Sequence, residues 1–128
     1  FNCPMVMCNK TRKKANEVAH MDVIGDVEGA DVVLIDDMVD TAGTITKAAD
    51  LLKEKGARSV RALASHCIMS GPANERVEAC ALEEMIFTDS IPYHGSCAKV
   101  KQLSVAELIA NTIRSVQDNE SISDQYLI

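Results

Sequence analysis

The passage that most constrains this chain is Val32-Val33-Leu34-Ile35-Asp36-Asp37-Met38-Val39-Asp40-Thr41-Ala42-Gly43-Thr44, where an unbroken aliphatic run gives way to carboxylates and then to small and hydroxyl residues. Consecutive aliphatic side chains without polar alternation predict a strand covered on both faces, as in a parallel sheet. The residues that follow predict a helix. Ile45, Ala48, Ala49, Leu51 and Leu52 recur near helical spacing, Lys53 and Lys55 fall in the last turn, and Gly56 stands where the helix stops. A strand, a polar turn and a helix in that order make a ligand site, because open α/β sheets bind at the carboxyl ends of their strands.

The turn's composition selects the ligand. Ala42 and Gly43 let main-chain N–H groups approach closely, the helix start adds donors and partial positive charge, and Thr41 and Thr44 add hydroxyls. Asp40 to Thr44 is therefore expected to hold a phosphate. Asp36 and Asp37 repel phosphate, but they accept hydrogen bonds from vicinal hydroxyls or help hold a divalent cation. A sugar phosphate satisfies both halves. Taken singly, these residues are a strand end, a helix cap and a turn glycine; in the order D-D-x-x-D-T-x-G-T they form a specific signal.

At 128 residues the chain has the length of one domain. A net charge of −6 and a pI near 5.0 argue against a nucleic-acid partner. No apolar run approaches a membrane span, and the reading is a cytoplasmic protein with no membrane partner. The 5 cysteines include no C-x-x-C and no pairing with histidine at ligand spacing, so they read as reduced thiols and no protein metal site is expected.

In chain order, Cys3 to Cys8 predicts a strand, and its abrupt start predicts a fragment that lacks an upstream part. Asn9 to Asn16 gathers Lys10, Arg12, Lys13 and Lys14 without apolar periodicity and predicts a mobile loop, either a solvated charge run or a lid over a phosphate. His20 to Ile24 predicts a short antiparallel excursion, with Gly25 to Gly29 turning into the main strand. Arg58 to Ile68 predicts the next strand, Ala73 to Leu82 a helix, Glu84 to Thr88 and Val100 to Leu103 two more strands. Ser104 with Glu107 predicts a capping box opening a last helix, whose apolar face is Val105, Leu108, Ile109, Ile113 and Val116. The Val32 to Ile35 strand is expected at the centre of a parallel sheet, flanked by the Cys3 and Arg58 strands or their neighbours, with helices on both faces.

D-D-M-V-D-T-A-G-T is similar to the phosphoribosyl pyrophosphate motif of type I phosphoribosyltransferases. The remaining stretches are more selective. I-G-D-V-E-G, K-A-A-D-L-L-K-E-K-G-A, S-G-P-A at Ser70 to Ala73 and T-D-S-I-P at Thr88 to Pro92 resemble the ribose-phosphate pyrophosphokinase family across nearly the whole chain. The resemblance implies a three-layer α/β fold of the phosphoribosyltransferase type with a central, mostly parallel sheet. It makes residues 1–128 a C-terminal domain, with the ATP-binding residues and a metal-binding histidine in an absent N-terminal half. It further implies ATP and ribose 5-phosphate as substrates, Mg2+ as cofactor and a homo-oligomer.

By motif, Lys10 and Arg12 fall on the family's catalytic loop, and Arg12 also contacts substrate. Asp36 would hold ribose hydroxyls, Asp37 would stand near the Mg2+ shell, and Asp40, Thr41, Ala42, Gly43 and Thr44 would grip the 5-phosphate. The family loop reads D-K-R-R where this chain reads Asn9-Lys10-Thr11-Arg12, which puts the tuning of that loop in question. Two other readings stay open: a type I phosphoribosyltransferase, for which no hood segment is visible, and a non-catalytic subunit associated with the synthase. The fragment alone is expected to be inactive.

Overall fold

The computed structural model describes residues 3–11 and 20–123, and its elements run β1 (Met7–Thr11), β2 (His20–Ile24), β3 (Asp31–Val39), α1 (Gly43–Glu54), β4 (Ser59–Cys67), α2 (Ala73–Ala79), β5 (Glu84–Thr88), β6 (Val100–Leu103) and α3 (Ala106–Gln117). The aliphatic run forms β3 as expected. The strand continues past its apolar part, so Asp36 and Asp37 belong to the strand rather than to the turn. β3, β4, β5 and β6 form a parallel four-stranded sheet in that order, with Leu34 opposite Ala62 and Asp36 opposite Ala64.

Three expectations about neighbours change. β3 is the terminal strand of this sheet among the described residues, not its centre. The strand near Cys8 pairs antiparallel with β2 in a separate ribbon, Met7 opposite Ile24 and Lys10 opposite Met21, instead of lying beside β3. Asn9, Lys10 and Thr11 are consequently strand residues and not loop, because ladder pairing with β2 satisfies their main chain where side-chain patterning gave no strand signal. The rest of the expected lid, from Arg12 to Asn16, lies outside the described residues.

The core sits on one face of the sheet. Val60, Ala62 and Ala64 from β4 and Met85 and Phe87 from β5 alternate inward and meet Ile45, Ala49 and Leu52 of α1 and Ala73 and Val77 of α2. Every second residue of β4 and β5 is therefore fixed by burial, which also fixes the register. On the opposite face Val33 is 50% exposed and Ile35 75%, and α3 contributes no buried residue. The continuous apolar pattern of β3 asks for cover on both sides, and the described residues supply it on one.

Two connections hold the later strands. Asp89 accepts a hydrogen bond from the Val105 N–H at 2.9 Å, and Ser104 adds a second hydrogen bond that holds the Asp89 carboxyl below the usual aspartate range. That arrangement replaces the expected capping box: α3 starts at Ala106 without a side-chain cap, and the Ser104 hydroxyl accepts from the Ala106 N–H. The Tyr93 hydroxyl donates to Asn74 and accepts from the Cys97 N–H, pinning the loop before β6 onto α2.

Candidate functional site

Asp36 and Asp37 sit near the carboxyl end of β3, both exposed. Each uses one carboxylate oxygen locally, Asp36 accepting from the Asp37 N–H at 2.9 Å and Asp37 from the Met38 N–H at 2.8 Å. These bonds fix the two side chains at the strand edge, and the remaining carboxylate surface faces outward. Beside Asp36 lies a shallow cleft of about 190 Å³, lined by Ile35, Asp36, Leu63, Ser65, Ile86 and Leu103 among others.

The turn that follows is tight. Ala42 takes up a left-handed conformation (φ 58°), which is costly for a residue with a Cβ, and is nevertheless buried. Its carbonyl accepts both the Thr46 N–H and the Thr46 hydroxyl, so the first turn of α1 is fastened to the loop. α1 starts without a side-chain cap and without an acidic residue in its first turn. A helix start of that kind presents main-chain donors and the positive end of the helix dipole to an anion. Thr41 and Thr44 are exposed on either side of it.

Two contacts come from far along the chain. Ser70 donates its hydroxyl to Asp40 and its N–H to the Asp40 carbonyl at 3.0 Å, while Arg76 on α2 donates from Nη1 to the Thr41 carbonyl at 2.8 Å. A Cβ built on Gly43 would come within 3.3 Å of the same Arg76 nitrogen. The sequence offered no signal for either residue beyond the S-G-P-A resemblance, because the contacts span 30 and 35 positions. The T-D-S-I-P stretch is also placed at the ends of the strands: the Thr88 and Ser90 hydroxyls both donate to the Ser65 carbonyl, and His66 Nδ1 lies 2.9 Å from the Ser90 hydroxyl.

The structure thus gathers Asp36, Asp37, Asp40, Thr41, Ala42, Gly43 and Thr44 along one strand end, turn and helix start. Lys10 lies on the separate ribbon, whose β2 packs against α1, and Arg12 is outside the described residues. No cluster of three metal-ligating side chains occurs among the described residues. Asp36 and Asp37 are consecutive on β3 and project to opposite faces of the sheet, so each could offer its carboxylate singly to a Mg2+ that keeps most of its other ligands as water or phosphate. The most displaced carboxylate lies elsewhere. Asp31, at the far end of β3, is held well below the ordinary aspartate range by hydrogen bonds from Arg58 and Ser59.

Comparison with known proteins adds a lineage to this geometry. Residues 5–127 match the family described as phosphoribosyl synthetase-associated domain. The ribose-phosphate pyrophosphokinase of Porphyromonas gingivalis is 63% identical over 123 residues, covering 96% of this chain and 39% of that protein. The ribose-phosphate pyrophosphokinase of Helicobacter hepaticus is 52% identical over 122 residues, 95% of this chain and 40% of that protein. Among solved structures, the phosphoribosylpyrophosphate synthetase from Mycobacterium smegmatis superposes with a TM-score of 0.81 at 40% identity, over 91% of this chain and 37% of that one. The chain spans about 40% of the length of the curated relatives it matches.

Proposed function

This chain belongs to the phosphoribosyl synthetase-associated domain family of ribose-phosphate pyrophosphokinases, and we propose that it supplies the ribose 5-phosphate site of an enzyme that transfers diphosphate from MgATP to that sugar. The anomeric hydroxyl oxygen attacks the β-phosphorus of ATP, the bond to the α-phosphate breaks, and the hydroxyl proton is lost. Phosphoribosyl pyrophosphate and AMP result. The observation that carries the reading is the uncapped start of α1 following Asp40 and Thr41 directly, with no acidic residue in its first turn and two carboxylates on the strand before it.

In this reading the 5-phosphate rests on the Asp40 to Thr44 main chain, assisted by the Thr41 and Thr44 hydroxyls, and Asp36 accepts hydrogen bonds from the ribose hydroxyls. Asp37 stands beside the Mg2+ that accompanies ATP, an ion that neutralises phosphate charge during transfer. Lys10 and Arg12 bring positive charge to the transferring group, the step for which charge stabilisation is usually the largest contribution. The enzyme works in the cytoplasm as a homo-oligomer.

A non-catalytic synthase-associated subunit is the second reading, favoured by Asn9 and Thr11 standing where the family loop carries Asp and Arg. AMP release from ATP by the intact parent enzyme, dependent on ribose 5-phosphate and abolished by Asp36→Ala, tests the proposal. Sugar-phosphate binding without AMP release would establish the second reading instead.

A further inference from the structure

Ser70 and Arg76 have no role in the reading above, yet both reach the turn that it assigns to the phosphate. We infer that they are positioning residues: the Ser70–Arg76 segment braces the phosphate loop from behind and holds its main-chain donors in the binding conformation before substrate arrives. The inference rests on the phosphate-loop reading and deepens it.

The loop needs a brace because its conformation is unfavourable on its own. A left-handed alanine costs on the order of 1–2 kcal/mol, and such a residue persists only where its surroundings over-determine it. Those surroundings are visible on both sides of Ala42. Toward the helix, Thr46 binds the Ala42 carbonyl twice. Toward the strand, Ser70 holds Asp40 by side chain and main chain, and Arg76 holds the next carbonyl, that of Thr41. Fixing the Thr41 carbonyl on Arg76 fixes the plane of the Thr41–Ala42 peptide, because the amide is planar. The Ala42 N–H is thereby aimed away from Arg76.

The brace is itself anchored at several points. The Ile68 and Met69 N–H groups both bind the Val39 carbonyl, leading the chain from β4 past the loop. The Ala73 N–H closes the turn on the Ser70 carbonyl, and at the other end of α2 the Ala81 N–H binds Asp50 of α1. Arg76 also explains Gly43. Its Nη1 occupies space within 3.3 Å of where a Gly43 Cβ would be, so the residue without a side chain makes room for the guanidinium. Groups held in place in advance bind without the ordering cost that a mobile loop incurs on association.

The test uses the intact parent enzyme, with affinity for ribose 5-phosphate and for ribose measured by calorimetry and KM for each substrate measured by steady-state kinetics. Arg76→Met, which keeps bulk and removes the donor, should weaken ribose 5-phosphate binding about tenfold. KM for ATP should stay unchanged, the thermal midpoint should fall by only a few degrees for the one lost hydrogen bond, and Arg76→Lys should recover most of both losses by donating to the same carbonyl. Ser70→Ala should act in the same direction and carries the test if Arg76→Met does not fold. Wild-type affinity in the variants overturns the brace, as does a loss spread equally over both substrates with a lowered midpoint. A loss that moderate salt abolishes also overturns it, since that marks long-range attraction rather than loop geometry. Failure of the underlying reading shows in the wild type alone, as equal affinity for ribose and ribose 5-phosphate.

Discussion

Gly43→Ala separates the stability of the phosphate loop from its function, because one methyl group acts on the two in different ways. The backbone at Gly43 is outside the left-handed region, so alanine can adopt it, and restricting the unfolded chain stabilises by about 0.4–1 kcal/mol. Against that, the new Cβ meets Arg76 Nη1 at 3.3 Å and Cζ at 3.9 Å, and the guanidinium must retreat by a few tenths of an ångström. Retreat weakens its hydrogen bond to Thr41. Bonds from charged donors contribute roughly 1.5–3 kcal/mol, and less at an exposed arginine. The two effects nearly cancel, so stability should change by less than about 1 kcal/mol, a midpoint shift within about 8 °C. Binding has no such compensation: loosening the Thr41 carbonyl should weaken ribose 5-phosphate about tenfold, close to 1.4 kcal/mol. Thermal unfolding followed by circular dichroism and calorimetric titration of the full chain give both quantities. Unchanged affinity would refute the reasoning. A collapse in stability of 3 kcal/mol or more, with binding lost only in proportion, would show that Gly43 serves the fold and not the site.

In the intact parent enzyme, Lys10→Ala should lower kcat by on the order of a hundredfold while KM for ribose 5-phosphate changes little, the signature of a charge used at the transition state; Lys13→Ala, with the same charge three residues on, should do almost nothing, and equal losses would mark a general effect of the cluster. Asp31→Asn should destabilise at neutral pH and much less at low pH. The folded-state pKa of Asp31 lies below its unfolded value, so its stabilisation is present above about pH 4 and is lost as pH falls through the folded-state value. A wild-type-to-variant difference in urea midpoint that does not shrink between pH 7 and pH 3 would contradict the pairing with Arg58. Iodoacetamide at mildly alkaline pH should modify exposed Cys3 well before Cys67, whose thiol burial pushes up to about 11. Peptide mass spectrometry showing equal labelling would mean that the β4 core opens readily.

What the sequence disclosed divides along the range of the interactions involved. β3, the Asp40 to Thr44 turn and α1 are contiguous, and their identity depends on local patterning, turn chemistry and helix spacing, all of which are visible in one dimension. The place of β3 in the sheet is different. An apolar run states that a strand is buried, not which strands flank it, and the pairing of β1 with β2 took Lys10 out of the expected loop and into a ladder. Ser104 and Glu107 matched a capping pattern, yet Asp89 reached across to take the Val105 N–H, a competition between a local cap and a distant one that no short motif reveals. Ser70 and Arg76 escaped assignment for the same reason: their contacts exist only once β4 has brought α2 back beside the loop.

The edge of β3, which pairs with no further strand among the described residues, carries a consequence for handling this chain. Val32 to Ile35 is an uncharged run of strong strand formers with Ile35 75% exposed, and edges of that kind, where nothing else covers them, template the pairing of further copies. Asp31 bounds the run on one side and Asp36 and Asp37 on the other, which makes all three gatekeepers against self-association and gives Asp36 and Asp37 that duty beside their candidate ligand role. Neutralising Asp36 or Asp37 to examine sugar binding therefore removes part of the guard at the same time. In such variants the concentration of monodisperse protein, read by light scattering, is the denominator that any loss of activity has to be divided by.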